Sequence, residues 1–132
     1  MNKIKIVSVL VLDQDKAIEF CTRKLGFDLL EDKPFGESRW VTVGAPNQRD
    51  VSLALELATS AADKAIVGKQ AGSHAFLAFD TSNCMADYAR MKPLGVKFLG
   101  EPQSGPWGTG VQLEDLYGNK LFLSQEPAEI PT

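Results

Sequence analysis

The chain has 132 residues and a mass of 14.4 kDa, enough for one domain or two halves sharing a core, and a chain this long needs neither disulfide nor metal to fold. Apolar residues at 44% and charged residues at 23% are ordinary globular composition and exclude a disordered chain. A formal charge of −3 without a basic cluster argues against nucleic acid or an anionic membrane as partner.

The first thirteen residues carry an apolar run, but Lys5 interrupts it, Asp13 closes it and no small-residue cleavage site follows, so a strand over 3–12 is expected rather than a signal peptide. Asp13 caps a helix over Gln14–Leu25, whose apolar residues Ala17, Ile18, Cys21 and Leu25 share one face, and Gly26 stops it. Asp13-Gln14-Asp15 lacks the later Gly and Glu of a calcium loop and reads as that helix start. Strands follow at 27–32, around Trp40 and Thr42, and at 50–57, with a turn at Pro34 and Gly36. Residues 59–71 are an Ala-rich connector with a short helix over 61–67.

The pattern then recurs. A strand is expected at 74–80, a helix capped by Ser82 or Asn83 and carrying Met85, Tyr88 and Met91, a stop at Pro93 and Gly95, and strands at 96–99, 108–114 and 120–124. The tail, 126–132, holds two prolines and is expected to be loosely held. Leu25-Gly26-Phe27 lies over Leu94-Gly95-Val96, and Leu30 over Leu99, at one offset of 69. The chain is thus an α+β repeat, with half one at about 3–58 and half two at about 72–125. No apolar stretch is long enough to span a membrane. Cys21 and Cys84 fall in the two helices without a Cys-x-x-Cys partner, and read as small core or helix-face residues of a cytoplasmic protein.

In both halves the order is strand, helix, three strands. With Val9-Leu10-Val11-Leu12-Asp13 leading into Ala17-Ile18-Glu19-Phe20, Lys24-Leu25-Gly26-Phe27, Gly95-Val96-Lys97-Phe98 and Glu114-Asp115-Leu116-Tyr117-Gly118-Asn119-Lys120-Leu121, the chain resembles the vicinal oxygen chelate superfamily. That group includes glyoxalase I, bleomycin-resistance proteins, fosfomycin-resistance enzymes and extradiol dioxygenases. The resemblance, from about residue 4 to 125, implies two tandem βαβββ units forming a pair of open half-barrels around a cavity, in a homodimer. In metal-dependent members it also implies a divalent cation held by one side chain from each of four strands. Carried onto this chain, those positions are Ile6, Glu56, His74 and Phe122, so two keep donor atoms and two are apolar. Glu56 and His74 suit zinc, nickel, manganese or iron, but two ligands are fewer than a catalytic site supplies. His74, the single histidine, reads equally as a hydrogen-bonded structural residue on a strand, and Glu56, between Leu55 and Leu57, as a solvated one.

Trp40 and Trp107 are candidate aromatic walls for a flat ligand, with core packing as the alternative. Gln112 is a candidate polar contact by resemblance to fosfomycin-type members, and Ser8 and Thr42 are candidates to face inward if the register holds. The stretch 103–110 reads as a pocket rim or as a plain connection, and not as a phosphate loop, since no Gly-Lys-Ser/Thr follows. With one histidine, no Ser–His–Asp or Cys–His nucleophile is convincing.

Two functions follow. In one, the chain is a small-molecule binder without cofactor, acting by sequestration, with Trp40, Phe76, Trp107 and Phe122 as walls and Glu56, His74 and Gln112 as polar contacts. In the other, it is a metal-dependent lyase, isomerase or dioxygenase using Glu56 and His74 as partial ligands, or as an acid–base pair without metal. A protein-interaction module is a further class.

Overall fold

The computed structural model describes residues 1–128 and divides into two compact units, Met1–Gln70 and Ala71–Thr132. Of the tail expected to be loose, residues 126–128 are exposed and belong to no element, and 129–132 lie outside the described residues.

The first unit runs β1 (Ile6–Val11), α1 (Gln14–Glu19), β2 (Asp28–Phe35), β3 (Ser38–Gly44), β4 (Ser52–Leu57) and α2 (Ala61–Ile66). Its four strands form one open sheet in the order β1-β4-β3-β2, with β1 parallel to β4 and the other pairs antiparallel. The second unit runs β5 (Leu77–Asp80), α3 (Cys84–Met91), β6 (Gln103–Gly105), β7 (Gly108–Glu114) and β8 (Lys120–Gln125), in the order β5-β8-β7-β6 with the same senses. Each unit is therefore βαβββ, and neither sheet closes on itself into a barrel. Among the described residues no helix is long and apolar enough to cross a membrane.

Alternation along the strands builds the first core. Val9, Val11, Val41, Val43 and Leu55 are buried on one face, and Ala17, Phe20 and Cys21 of the helix are buried with them. Asp13 caps α1 by accepting from the Lys16 N–H at 2.9 Å. The expected helix to Leu25 continues past Glu19 as a π-helical turn (Phe20–Lys24), closed by the Leu25 N–H on the Phe20 carbonyl at 3.2 Å. The wider turn lets the consecutive residues Phe20 and Cys21 both reach the core. In the second unit, Val111, Leu113, Leu121 and Leu123 are buried with Cys84, Met91 and Val96. Both cysteines are free and buried.

Gln14 and Gln70 hold places where the sheet would otherwise lose hydrogen bonds. The Cα register between β3 and β4 stops at Thr42 opposite Ala54, and the Gln14 amide fills the fork beyond, donating to Leu55 O at 2.9 Å and Arg39 O at 3.1 Å. The Gln70 carboxamide lies on the outer edge of β1. It accepts from the Leu10 N–H at 2.7 Å and donates to Ser8 O at 3.1 Å, so a side chain takes the place of a peptide group.

Three sequence expectations shift. Pro34 does not make the turn. It sits inside β2, where an edge strand tolerates the missing N–H, and the hairpin turns at Gly36 and Glu37, with Gly36 at φ 62°. The expected strand at 96–99 is a partial ladder: Phe98 bridges Leu113, and the Leu99 N–H donates to Gln112 O at 2.9 Å. The regular edge strand is instead β6, inside the glycine-rich stretch.

Leu55→Ala is expected to cost about 3 kcal/mol in urea unfolding, because Leu55 is 2% exposed. Leu57→Ala, two residues on and 47% exposed, is expected to stay within about 0.5 kcal/mol.

Candidate functional site

Covering one face of each sheet with a helix leaves the opposite face to other side chains. In the first unit this helix-free face carries Ile6, Ser8 and Leu10 of β1, Ala54 and Glu56 of β4, and Trp40 and Thr42 of β3. A bulge between Leu29 and Glu31 shifts the β2 register, so that Glu31 pairs with Thr42, Lys33 with Trp40 and Phe35 with Ser38. Glu31, Lys33 and Phe35 thereby join the same face.

There the Glu31 carboxylate is a hub. The Trp40 indole N–H donates to Oε1 at 3.1 Å, the Thr42 hydroxyl donates to the same oxygen at 3.3 Å, and the Lys33 ammonium meets Oε2 at 3.1 Å. Lys33 first, then Trp40, hold the Glu31 carboxyl below its ordinary value of 4.5. Trp40, fixed by its nitrogen, lies tilted against Phe35, ring centroids 6.5 Å apart at 47°. On the helix side, Arg39 grips both oxygens of Asp32 at 2.8 Å and reaches Asp15 of α1, also at 2.8 Å, tying the hairpin to the helix.

The second unit builds a similar pair by another route. Trp107 stands in the two-residue turn between β6 and β7, and its ring folds back over Gly105 and Gly110. A Cβ on Gly105 would lie 2.7 Å from Trp107 Nε1, and one on Gly110 would lie 2.5 Å from Phe122 Cζ and 3.1 Å from Trp107 Cζ3. The glycines are thus a bare floor, and on it Trp107 and Phe122 meet at 6.4 Å and 40°. Trp107 remains 53% exposed. Gln112 is exposed and is the register partner of Phe122.

The structure places the sequence candidates as follows. Trp40 and Glu56 are on the helix-free face of the first sheet, with Glu56 half-buried beside its register partner Leu10. Phe122 and Gln112 are on the corresponding face of the second. His74 is corrected: it does not open a strand but sits exposed in the bend after the turn 71–73, its N–H on Ala71 O at 3.1 Å. Phe76 also precedes β5, and its N–H already joins the sheet at Lys120 O, 2.7 Å away. Burial pushes the Cys84 thiol up in pKa, which makes it a poor nucleophile. Glu31 and Phe35 went unread in the sequence. Their signal is the bulge, which leaves no mark in residue spacing.

The internal repeat tests the metal centre. Ser8 pairs with Ala54 and Ala54 with Thr42, while Ala78 pairs with Phe122 and Phe122 with Gln112. The counterpart of Phe122 is therefore Ala54, and that of Ile6 is Phe76, so these four matched positions hold no donor atom. Glu56 matches Ser124 and His74 matches Ile4, so the two donors stand at unrelated places. Among the described residues no group of three or more His, Cys, Asp or Glu is placed to hold a metal. The residues present do not fit a four-strand cation centre.

The model of the Glyoxalase/Bleomycin resistance protein/Dioxygenase superfamily matches residues 3–123. The chain belongs to this superfamily. An uncharacterised protein of Shewanella frigidimarina is 42% identical over 121 residues, 90% of each chain. Among solved structures, UcmS2 has a TM-score of 0.83 at 31% identity, covering 94% of this chain and 98% of its own. TnmS3, described as an antibiotic binding protein from a Streptomyces strain, has a TM-score of 0.77 at 33% identity, covering 96% and 98%. Superfamily members bind small molecules and often form dimers.

Because the folded-state pKa of Glu31 is depressed, the stabilisation from its anion is present above 4.5 and is lost only as the pH falls through a lower value. In a Trp107→Phe background, Trp40 emission is expected to change on acidification with a midpoint below 4.5. Glu31→Ala is expected to shift that emission at neutral pH, and Glu31→Gln, which keeps an acceptor, to shift it less. Equilibrium dialysis against zinc, nickel, manganese or iron(II) is expected to leave well below one equivalent per chain.

Proposed function

We propose that this superfamily member is a binding protein for a flat organic molecule, which it sequesters on the helix-free faces of its sheets without a complete metal centre. The carrying observation is the tilted Trp–Phe pair that each unit presents, Trp40 with Phe35 and Trp107 with Phe122, at nearly equal separations. The two pairs arise from different strand positions, so their likeness is not simple inheritance of one side chain along the repeat. Tilted rings offer edges and faces to a planar guest, and the indole of Trp107 is exposed enough to meet one. Gln112 and Glu56 supply polar contacts beside the rings, and His74 and Phe76 flank the start of β5. The description of TnmS3 as an antibiotic binding protein supports the same class of ligand here. The family's habit supports a homodimer, and two free buried cysteines support a cytoplasmic home.

Tryptophan fluorescence during titration with bleomycin and a panel of planar polycyclic antibiotics tests the proposal. At least one compound is expected to quench saturably, with Trp40→Ala weakening binding at the first unit's face and Trp107→Ala at the second's, each about tenfold. Binding that ignores both substitutions, or no saturable quenching across the panel, would overturn it.

A further inference from the structure

The two helix-free faces share more than their rings. In the first unit, the cross-strand row next to Ser8, Ala54 and Thr42 contains Leu10, Glu56 and, beyond the Gln14 fork, Trp40. In the second unit, the matching row is Asp80, Ser124 and Gly110, with the Trp107 ring lying over Gly110. Each row therefore carries one carboxylate on the same sheet face as one indole. The carboxylate comes from the fourth strand in one unit and from the first strand in the other, and the indole from a strand in one and a turn in the other. The chemistry repeats although the positions do not.

The other charges on these faces are matched. Glu31 is paired with Lys33 at 3.1 Å, Asp28 with Arg49 at 2.5 Å and Glu114 with Lys97 at 3.2 Å. Lys120 directs its ammonium to Ser73 O at 3.4 Å and stands four residues from Ser124 along β8, roughly 13 Å from the Asp80 row. Glu56 is half-buried and Asp80 exposed, and neither carboxylate enters a hydrogen bond or ion pair among the described residues. An indole face attracts a cation through its quadrupole, and a nearby unneutralised carboxylate adds Coulombic attraction.

We propose that these faces select a planar cation, a flat ring system carrying a protonated amine, with Glu56 and Asp80 as the charge-selecting residues beside Trp40 and Trp107. The inference rests on the binding function above and adds the charge of the ligand to it.

The test compares two tricyclic probes of opposite charge, proflavine as the cation and anthraquinone-2-sulfonate as the anion, titrated at neutral pH and low salt with tryptophan quenching as readout. Proflavine is expected to bind about tenfold more tightly than the sulfonate, and its advantage to shrink as salt is added. The Glu56→Gln/Asp80→Asn double variant, with folding checked by circular dichroism, is expected to lose about tenfold for proflavine and with it the preference for the cation over the sulfonate. Equal or tighter binding of the sulfonate by the wild-type chain overturns the charge assignment and leaves the aromatic site standing. Wild-type affinity for proflavine in the folded double variant overturns the roles of Glu56 and Asp80. Absence of quenching by either probe removes the aromatic site and this inference with it.

Discussion

The arrangement depends on side chains alternating along the two inner strands of the first sheet. Val41, Val43 and Leu55 face the helix, and their burial is nearly complete. That facing sends Trp40, Thr42 and Glu56 to the opposite side. A slip of one residue would exchange the two sets and place a carboxylate under the helix, at a cost far above that of any single surface contact. The facing of these side chains is thus fixed by what the core demands.

Much of this was legible in the residues. The offset between Leu25-Gly26 and Leu94-Gly95 revealed the duplication, and the alternation of Val51, Leu53 and Leu55 gave β4 its facing. Glycines after both helices marked their ends. What spacing could not show was anything that depends on a partner strand. Pro34 is a turn former by composition, yet it stands in a strand because that strand is an edge. The bulge beside Leu29 puts Glu31 opposite Thr42, and no residue type announces it. The strand expected from His74 begins only at Leu77, where the ladder to β8 starts. The glycines at 105 and 110 left two readings open, rim or connection, and they prove to be the paving under two aromatic rings.

Membership of the superfamily also shows where a shared fold stops determining chemistry. A duplicated unit offers matched positions in its two halves, and a metal centre that draws on four strands needs donors at such positions. This chain fills them with Ile6, Phe76, Ala54 and Phe122 and carries its two remaining donors elsewhere. The same scaffold that can grip an ion has here been furnished with rings. The Glu31 carboxylate is engaged in orienting Trp40.

The carboxamide of Gln70 bears on solubility. The rim of a sheet exposes a ladder of unmet amide and carbonyl groups, which invites recruitment of a foreign strand and growth into fibres. By docking on Ser8 and Leu10, Gln70 occupies the middle of that ladder on β1 with a group too short to be extended. The segment richest in isoleucine, valine and leucine thereby offers a foreign strand two fewer open backbone groups.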